Sequence, residues 1–476
     1  MQSQLHFNNA QLALIATMAF ALILLYGSNG ILKLSKLIFG MLSLGRFKTS
    51  MLKKTHVSLG EILLTDEDRM RHTHILGATG TGKTVLIEQL IYQDLMRGYG
   101  VLIIDAKGDR ELYDRVKSFC KKIGRENDLK YLSSTNLKES VRWNPCRLGN
   151  SSELQNKFFN SSKYENSFYA KACELALLQV FNKIGDEPNL TLSEMRDELN
   201  RLSKDGKDEF LKGLYFDIQN LSSGEWSPVL GTSPKEGNQE EISLLDITRK
   251  NDILFVDLPT EGKAVQSSRL GALLLQEITL ISGMRKRCPF VKSEQPFSVF
   301  VDEFDAFATD PFISFLNKGR SSGFMIHLAH QTLSDLRKVS PTFEGQVMGN
   351  VNNRFIFRID ISEDAEKLSK LFGTKSATKQ TYQTDGGSHS GKGSTRDVQE
   401  FEIHPDAIKR LKTGECIFSV KTTGVIKQIR VPALKDHLQK ASLPISRNTL
   451  SQSITKEIKK HDPYAELTDL ISGASQ

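Results

Sequence analysis

The segment that most constrains the fold is GATGTGKT, residues 77–84, which matches the pattern GxxxxGK[ST]. Its glycines let backbone N–H groups surround phosphate oxygens that side chains would otherwise obstruct. A short apolar strand precedes the segment and an amphipathic helix is predicted over 84–96. Because the helix N-terminus also favours an anion, this context indicates a phosphate-binding loop and not a plain glycine turn.

The residues of this loop are candidate ligands of a nucleotide. Lys83 is expected to reach the β- and γ-phosphates, and the hydroxyl of Thr84 to bind Mg²⁺. The full candidate set consists of Gly77, Ala78, Thr79, Gly80, Thr81, Gly82, Lys83 and Thr84. The predicted cofactors are therefore ATP and Mg²⁺.

Three predicted strands of an α/β sheet end in aspartate: VLIID (101–105), ILFVD (253–257) and VFVD (299–302). A nucleotide hydrolase needs one such Asp for Mg²⁺ and often a neighbouring Glu that polarises water. Only the third strand continues directly with Glu. Asp302 is therefore the candidate metal ligand and Glu303 the candidate general base.

The other acids have simpler interpretations. Asp105 is expected to bind backbone amides in the turn AKGD, and Asp257, followed by Leu-Pro, to be a turn residue. Asp305 lies beyond the strand tip, where a solvated or helix-capping role is favoured over catalysis.

Two further polar residues follow the third strand. Gln331 ends the strand FMIHLAHQ, where an amide either orients water or simply bonds to backbone, and spacing alone leaves both readings open. Arg320 lies in the turn GRSSG, and spacing alone favours a solvated surface residue over a cation that reaches a neighbouring subunit.

Length and composition predict two or three units in a globular chain of 476 residues with 39% hydrophobic and 25% charged residues. The net charge of +7 is compatible with nucleic acid or an anionic membrane as a partner. Five scattered cysteines without a CxxC pair predict reduced thiols.

The N-terminal segment predicts an uncleaved membrane anchor. Residues 12–26, LALIATMAFALILLY, are apolar, and the basic residues that follow place the N-terminus outside and the body in the cytoplasm. Residues 31–44 either lie along the membrane interface or form a second span.

The predicted domains are an anchor and basic segment at 1–54, a nucleotide-binding domain at 55–145 and 246–435, and an all-α domain at 146–245. Apolar stripes at helical spacing in 164–183, 195–202 and 211–218 carry the all-α prediction and are interpreted as core packing. The first stripe consists of Tyr164, Phe168, Ala172, Leu175 and Leu178. The polar run 374–399 is predicted as a mobile loop, two strands after it as an extension of the sheet edge, and 436–476 as a flexible tail.

The order of the motifs resembles that of type IV secretion coupling proteins of the TraG/TraD type. The motifs are the anchor, GATGTGKT, IIDAKGD, WNPC, the helical segment, FVDEFDAF and GRSSG followed by HQ. The resemblance implies a RecA-like P-loop ATPase fold: α/β, with a mostly parallel sheet, an inserted all-α domain and an N-terminal transmembrane anchor.

The resemblance also implies a function. Such proteins are homo-hexameric, DNA-dependent ATP hydrolases of the bacterial inner membrane that couple a relaxase–DNA complex to a type IV secretion channel. The implied partners are single- and double-stranded DNA, the relaxase or relaxosome, channel proteins and the membrane. Within the family an arginine of the GR turn acts across the subunit interface and a glutamine follows the next strand, which favours functional roles for Arg320 and Gln331. The alternatives are a DNA pump of FtsK/HerA type and a coupling ATPase for protein effectors only.

Overall fold

The structure is a computed structural model, and it describes residues 55–164, 166–185, 190–204, 208–231, 240–288, 291, 293, 295–385 and 388–432, with the side chains of 381–394 excluded. By its contacts the chain divides into two units, Met1–His56 with Met96–Gly98, and Val57–Leu95 with Tyr99–Gln476. The fold described below is that of the second unit, apart from the terminal residues His56 of β1 and Met96 of α2. The predicted anchor at 12–26, the segment 31–44 and the tail at 436–476 all lie outside the described residues.

The described strands, in chain order, are β1 (His56–Leu59), β2 (Ile62–Thr65), β3 (Thr73–Leu76), β4 (Gly100–Asp105), β5 (Leu129–Ser133), β6 (Arg142–Trp143), β7 (Glu241–Ile242), β8 (Ile253–Asp257), β9 (Phe297–Val301), β10 (Phe324–His330), β11 (Asn353–Ile356), β12 (Thr374–Asp385), β13 (Ser388–Phe401), β14 (Glu415–Val420) and β15 (Val425–Arg430).

The described helices are α1 (Asp66–Arg69), α2 (Lys83–Met96), α3 (Glu111–Ile123), α4 (Ser151–Asn160), α5 (Ser167–Ile184), α6 (Leu192–Leu202), α7 (Lys212–Ser223), α8 (Leu244–Lys250), α9 (Ala264–Arg287), α10 (Phe312–Lys318), α11 (Leu333–Arg337), α12 (Phe343–Asn350), α13 (Ser362–Phe372) and α14 (Pro405–Lys409).

A nine-stranded sheet with the order β15-β14-β11-β3-β10-β9-β4-β8-β5 forms the centre of the unit. The strands from β11 to β5 are all parallel, while β14 and β15 add an antiparallel edge. The central strands β3, β8 and β9 are buried along their whole length, which explains why polar and apolar residues do not alternate in their sequences. The predicted mostly parallel sheet and its extension by the two C-terminal strands are confirmed.

The described part of the segment 146–245 contains the helices α4 to α7, a 3-10 turn at Ser227–Val229 and the short strand β7. Strand β7 pairs in parallel with β6 at the base of the segment. Two of the helices begin with reciprocal side-chain caps, Asn150 with Glu153 and Thr191 with Glu194. The helical character agrees with the apolar spacing, while the domain boundaries stay a prediction.

The face of α5 that packs into the core differs from the expected one. The predicted core stripe included Phe168 and Leu175, which are 61% and 55% exposed. Instead, the helix buries the opposite face, where Leu177, Val180 and Phe181 are fully covered. The sequence of α5 is apolar on both faces, so that contact with the neighbouring helix α4 and not periodicity selects the buried one.

The segment 374–399, which was predicted as a mobile loop, forms regular structure. Strands β12 and β13 pair as an antiparallel hairpin, with a register shift between Tyr382 and Thr384. The loop prediction was wrong in this respect because a hairpin satisfies its backbone groups by pairing and needs no apolar face for that. The mobility of the segment stays a prediction.

None of the helices within the described residues is long and apolar enough to cross a bilayer.

Candidate functional site

The candidate site lies where four neighbouring parallel strands end. The loop at 77–84 follows β3, Gln331 follows β10, Asp302 and Glu303 follow β9, and Asp105 ends β4. Because the carboxyl ends of parallel strands meet at one edge of a sheet, residues that are far apart in sequence converge there. This edge is the usual location of ligand sites in open α/β sheets.

The backbone of the loop at 77–84 requires glycine at defined positions. Gly80 and Gly82 have φ angles of +73° and +117°, in the region that disfavours side chains. A Cβ atom on Gly77 would lie 2.5 Å from Cβ of Phe357, so the loop packs closely on the residue that follows β11. Glycine is therefore required at Gly80 and Gly82 by the backbone conformation and at Gly77 by close packing.

Lys83 begins helix α2 and turns back over the loop. Its Nζ donates hydrogen bonds to the carbonyl oxygens of Gly77 at 2.6 Å and Ala78 at 3.3 Å. The residue is only 8% exposed, and burial lowers the pKa of its ammonium, an effect that nearby Glu303 and Asp302 oppose. A buried cation next to the loop can neutralise phosphate charge in a region of low dielectric constant.

Asp302 and Thr84 share a cationic neighbour that the sequence did not single out. Nζ of Lys107 lies 3.1 Å from Oδ2 of Asp302 and donates a hydrogen bond of 2.8 Å to Oγ1 of Thr84. The two predicted metal ligands therefore face the same ammonium group. Carboxylate and hydroxyl oxygens are hard donors of the kind that Mg²⁺ prefers, so this pair fits a magnesium ion.

Glu303 is connected to the phosphate-binding loop by an amide. Nε2 of Gln331 donates a hydrogen bond of 3.0 Å to Oε1 of Glu303, and Oε1 of Gln331 accepts one of 3.1 Å from Oγ1 of Thr79. Glu303 is half-buried, and burial raises the pKa of its carboxyl group, which favours proton acceptance. Its backbone is left-handed, with a φ of +47°, a conformation that costs a non-glycine residue about 1–3 kcal/mol.

The remaining strand-end aspartates are structurally distinct. Asp105 accepts a hydrogen bond of 3.3 Å from the backbone amide of Lys107, as expected for a residue that closes the turn. Burial, followed by the charge of Asp302, raises the pKa of Asp105 to about 7. Asp257 lies farther along the sheet and accepts hydrogen bonds from the hydroxyls of Tyr131 and Ser133, both at 2.9 Å.

Asp305 differs from its expected role. It lies in the 3-10 turn Phe304–Ala306, where its side chain was predicted to be solvated or to cap a helix. Its Oδ1 atom is instead buried without a hydrogen-bond partner among the described residues, and burial raises the pKa of its carboxyl group. Asp305 as a whole is half-buried, so the predicted solvation holds only in part, because the turn packs inward with Phe304 and Phe307 both fully buried.

Within its own subunit, Arg320 lies away from the site residues at the carboxyl ends of the strands. It lies in the 3-10 turn Gly319–Ser322, which precedes β10, whereas Gln331 follows that strand. A seven-residue strand spans about 20 Å, so Arg320 is at the opposite edge of the sheet. Its guanidinium is 48% exposed and donates a hydrogen bond of 3.1 Å to Glu67.

Sequence reasoning missed one residue of the site, Lys107. The signal was present, since Lys107 follows the strand-end Asp105 by two positions in DAKGD. Its partners, however, lie 23 residues before it and 195 residues after it in the chain. Only the strand order β3-β10-β9-β4 in the sheet brings the three side chains together.

The fold and the site together define an α/β protein with a phosphate-binding loop at the carboxyl edge of a mostly parallel sheet. Residues 296–413 match the family model "TraM recognition site of TraD and TraG", and residues 61–144 match "Helicase HerA, central domain". A segment of 69 residues is 41% identical to the type 4 coupling protein DotL of Legionella pneumophila subsp. pneumophila. That segment covers 14% of this chain and 9% of the relative.

Solved structures of conjugative coupling proteins have the same fold. The coupling protein TrwB in its unbound form matches with a TM-score of 0.61 and 17% identity, over 82% of this chain and 91% of that chain. A structure of VirB4 from Thermoanaerobacter pseudethanolicus matches with a TM-score of 0.54 and 17% identity, over 81% and 99% of the two chains. The chain is thus similar to the type IV coupling proteins, and the predicted resemblance is confirmed.

Proposed function

We propose that this chain is an ATP hydrolase that acts as a type IV coupling protein. The observation that carries the proposal is the hydrogen-bonded series Thr79–Gln331–Glu303, which links the phosphate-binding loop to a carboxylate with a raised pKa. A purely structural glycine turn would not require a buried lysine, a strained glutamate and an amide at its edge. Structures of TrwB with ADP and Mg²⁺ and with an ATP analogue support ATP and Mg²⁺ as the cofactors.

Each residue of the site has a role in this proposal. The loop backbone and Lys83 hold the phosphates, and Thr84 and Asp302 hold Mg²⁺, which when bound neutralises charge on the transferred phosphoryl group. Glu303 accepts a proton from the attacking water, and Gln331 orients the carboxylate of Glu303. Electrostatic stabilisation and positioning supply most of the rate enhancement in such reactions.

Arg320 acts in this proposal on the nucleotide of a neighbouring subunit in a ring. Its exposure and its position at the opposite edge of the sheet support this role, since a cation at that edge is available to another copy of the chain. An arginine supplied from outside the site contributes about 10³–10⁵ to the rate in related phosphoryl transfer reactions. The homo-hexamer itself is part of the proposal.

The work performed by hydrolysis is proposed to be the translocation of single-stranded DNA in conjugation. The match of residues 296–413 to the TraM recognition model and the similarity to DotL support a role beside a relaxase and a type IV secretion channel. We place the protein at the bacterial inner membrane, with its N-terminus outside, on the basis of the apolar run at 12–26 and the lysines after it.

The proposal is tested by ATP hydrolysis of the full chain with and without single-stranded DNA. We expect DNA to stimulate turnover, and the stimulation to fall steeply with salt because phosphate contacts release counterions. Glu303→Gln should lower turnover by about 10²–10⁴ while a fluorescent ATP analogue still binds. Undiminished turnover in Glu303→Gln would contradict the base assignment.

A DNA pump of HerA type is the second candidate, because residues 61–144 match the central domain of that helicase. Stimulation by double-stranded DNA ends without any response to a relaxase would favour it. Stimulation by effector proteins but not by DNA would instead favour a coupling ATPase for protein substrates only.

A further inference from the structure

The side chain of Lys107 occupies the space between the two residues proposed to hold the metal. Its Nζ donates to the Thr84 hydroxyl at 2.8 Å and lies 3.1 Å from the carboxylate of Asp302. The first distance is that of a charge-assisted hydrogen bond, and the second is that of an ion pair. A single positive group thus binds the two oxygens that a divalent cation would also bind.

The residues before and after Lys107 both pack against the loop that follows β8. The carbonyl oxygen of Ala106 accepts a hydrogen bond of 3.0 Å from the amide of Thr260 in the loop after β8. Gly108 has a φ of +74°, and a Cβ atom there would lie 2.6 Å from Cβ of Pro259. Replacement of Gly108 would therefore push the turn away from this loop.

The ammonium group of Lys107 lies next to buried acidic side chains. Asp302 is 4% exposed and Asp105 is 1% exposed, so two carboxyl groups are buried beside it. Two buried carboxyl groups without a cation would repel each other and disfavour the pairing of β4 with β9. Lys107 supplies the compensating charge from within the chain, and its side chain is still 35% exposed, so solvent can reach it.

We propose that Lys107 is a positioning residue that holds Thr84 and Asp302 in the metal-free site and competes with the divalent cation for them. Binding of the metal then requires that the ammonium group leave both oxygens. Lys107 thereby sets the metal concentration at which the site loads nucleotide. This inference rests on the proposed function, because it presupposes that Thr84 and Asp302 are metal ligands.

The test uses Mn²⁺ as the metal probe and a fluorescent ADP analogue as the nucleotide, with the full chain. The half-saturating Mn²⁺ concentration is measured for the wild type, Lys107→Met, and the control Lys117→Met. Lys117 forms an ion pair of 3.3 Å with Glu139 and is 42% exposed, so it matches Lys107 in exposure but not in location. Thermal unfolding of each variant checks that it is folded.

We expect Lys107→Met to lower the half-saturating Mn²⁺ concentration about tenfold, since removal of a charge-assisted hydrogen bond removes its competition. Lys117→Met should leave the value unchanged, and Lys107→Arg, which keeps the charge, should restore most of the wild-type value. The difference should persist between about 50 mM and about 500 mM NaCl, because direct contacts are screened far less than distant charges.

The results separate this inference from the proposed function. One outcome is that the wild type binds the nucleotide in a Mn²⁺-dependent manner while Lys107→Met has an equal or higher half-saturating Mn²⁺ concentration. That result excludes competition by Lys107 and leaves the proposed function intact. A difference that disappears at high salt also overturns the inference, since it then reports long-range charge. Failure of the wild type to bind nucleotide at any Mn²⁺ concentration contradicts the proposed function itself.

Discussion

Gln331 bonds to Glu303 through its amide nitrogen and to Thr79 through its amide oxygen, at 3.0 and 3.1 Å. The two contacts fix the orientation of the amide, because each end meets a partner of the opposite hydrogen-bonding type. Strands β9 and β10 and the phosphate-binding loop are thus connected through one side chain. A displacement of Thr79 in the loop would therefore change the orientation of the Glu303 carboxylate.

Replacement of Gln331 by alanine should lower the rate of ATP hydrolysis about ten- to hundredfold with little change in nucleotide affinity, because the carboxylate loses its orientation. Steady-state kinetics and analogue binding measure the two effects. Gln276→Ala serves as the control, since this buried glutamine of helix α9 donates to Thr309, outside the site. When Glu303 is already replaced by Gln, the further change Gln331→Ala should lower the rate of ATP hydrolysis only slightly. Fully additive losses of rate would contradict a role of Gln331 through Glu303.

Arg320→Ala should abolish hydrolysis while leaving its own subunit able to bind nucleotide. Mixed with Glu303→Gln subunits, it should recover part of the activity, because an intact Glu303 then faces an intact Arg320 of a neighbour. Hydrolysis in a series of mixing ratios measures this. Glu67→Gln is the control for the ion pair within the subunit, which is exposed and worth about 0–1 kcal/mol. Absence of any recovery on mixing would exclude action between subunits.

Acid should destabilise the sheet through its buried histidines. Burial lowers the pKa of His72 and of His330 to about 4, from 6.5. For a base with a lowered pKa in the folded state, stability is present above pH 6.5 and is lost as pH falls toward 4. Each histidine should therefore lower the free energy of unfolding by about 2 kcal/mol between pH 7 and pH 5.

Urea unfolding at several pH values measures this dependence. His72 has a left-handed backbone with a φ of +69°, which asparagine tolerates, so His72→Asn is the suitable variant. Its stability should fall less steeply with acid than that of the wild type. An identical slope in both proteins would show that His72 does not contribute to the acid sensitivity.

The helical segment should depend on a buried ion pair for its attachment to helix α9. Nζ of Lys157 on α4 lies 3.0 Å from Oε2 of Glu277 on α9, with side chains 1% and 2% exposed, and the indole of Trp143 donates to the same carboxylate. Lys157→Met should destabilise the protein by about 3–5 kcal/mol, because it leaves a carboxylate buried without its cation. Thermal and urea unfolding measure the loss.

The matched control is Lys183→Met, which breaks the ion pair of 2.7 Å with Glu198, where the lysine is 53% exposed. That change should cost less than about 1 kcal/mol. The double variant Lys157→Met with Glu277→Leu should recover much of the stability, since no unpaired charge then remains. Equal losses for Lys157→Met and Lys183→Met would contradict the importance of burial.

Much of the site was predictable because its elements are local in sequence. A glycine-rich loop between a strand and a helix, and a strand that ends in Asp-Glu, are short patterns with a direct physical meaning. The face of α5 was not predictable, because its sequence is apolar on both sides and only contact with α4 selects one. The hairpin of β12 and β13 was missed because polar strands stabilised by pairing lack an apolar alternation.

The sequence by itself determined the phosphate-binding loop, the buried strands, and the acids that stand at their ends, since backbone preferences and hydrophobic runs act over a few residues. Only the tertiary structure decided which of these ends are neighbours. The order β3-β10-β9-β4 brings Gln331 to Glu303, and Lys107 between Thr84 and Asp302. The physical reason is that strand order follows from packing helices on both sides of the sheet, and spacing along the chain carries no record of it.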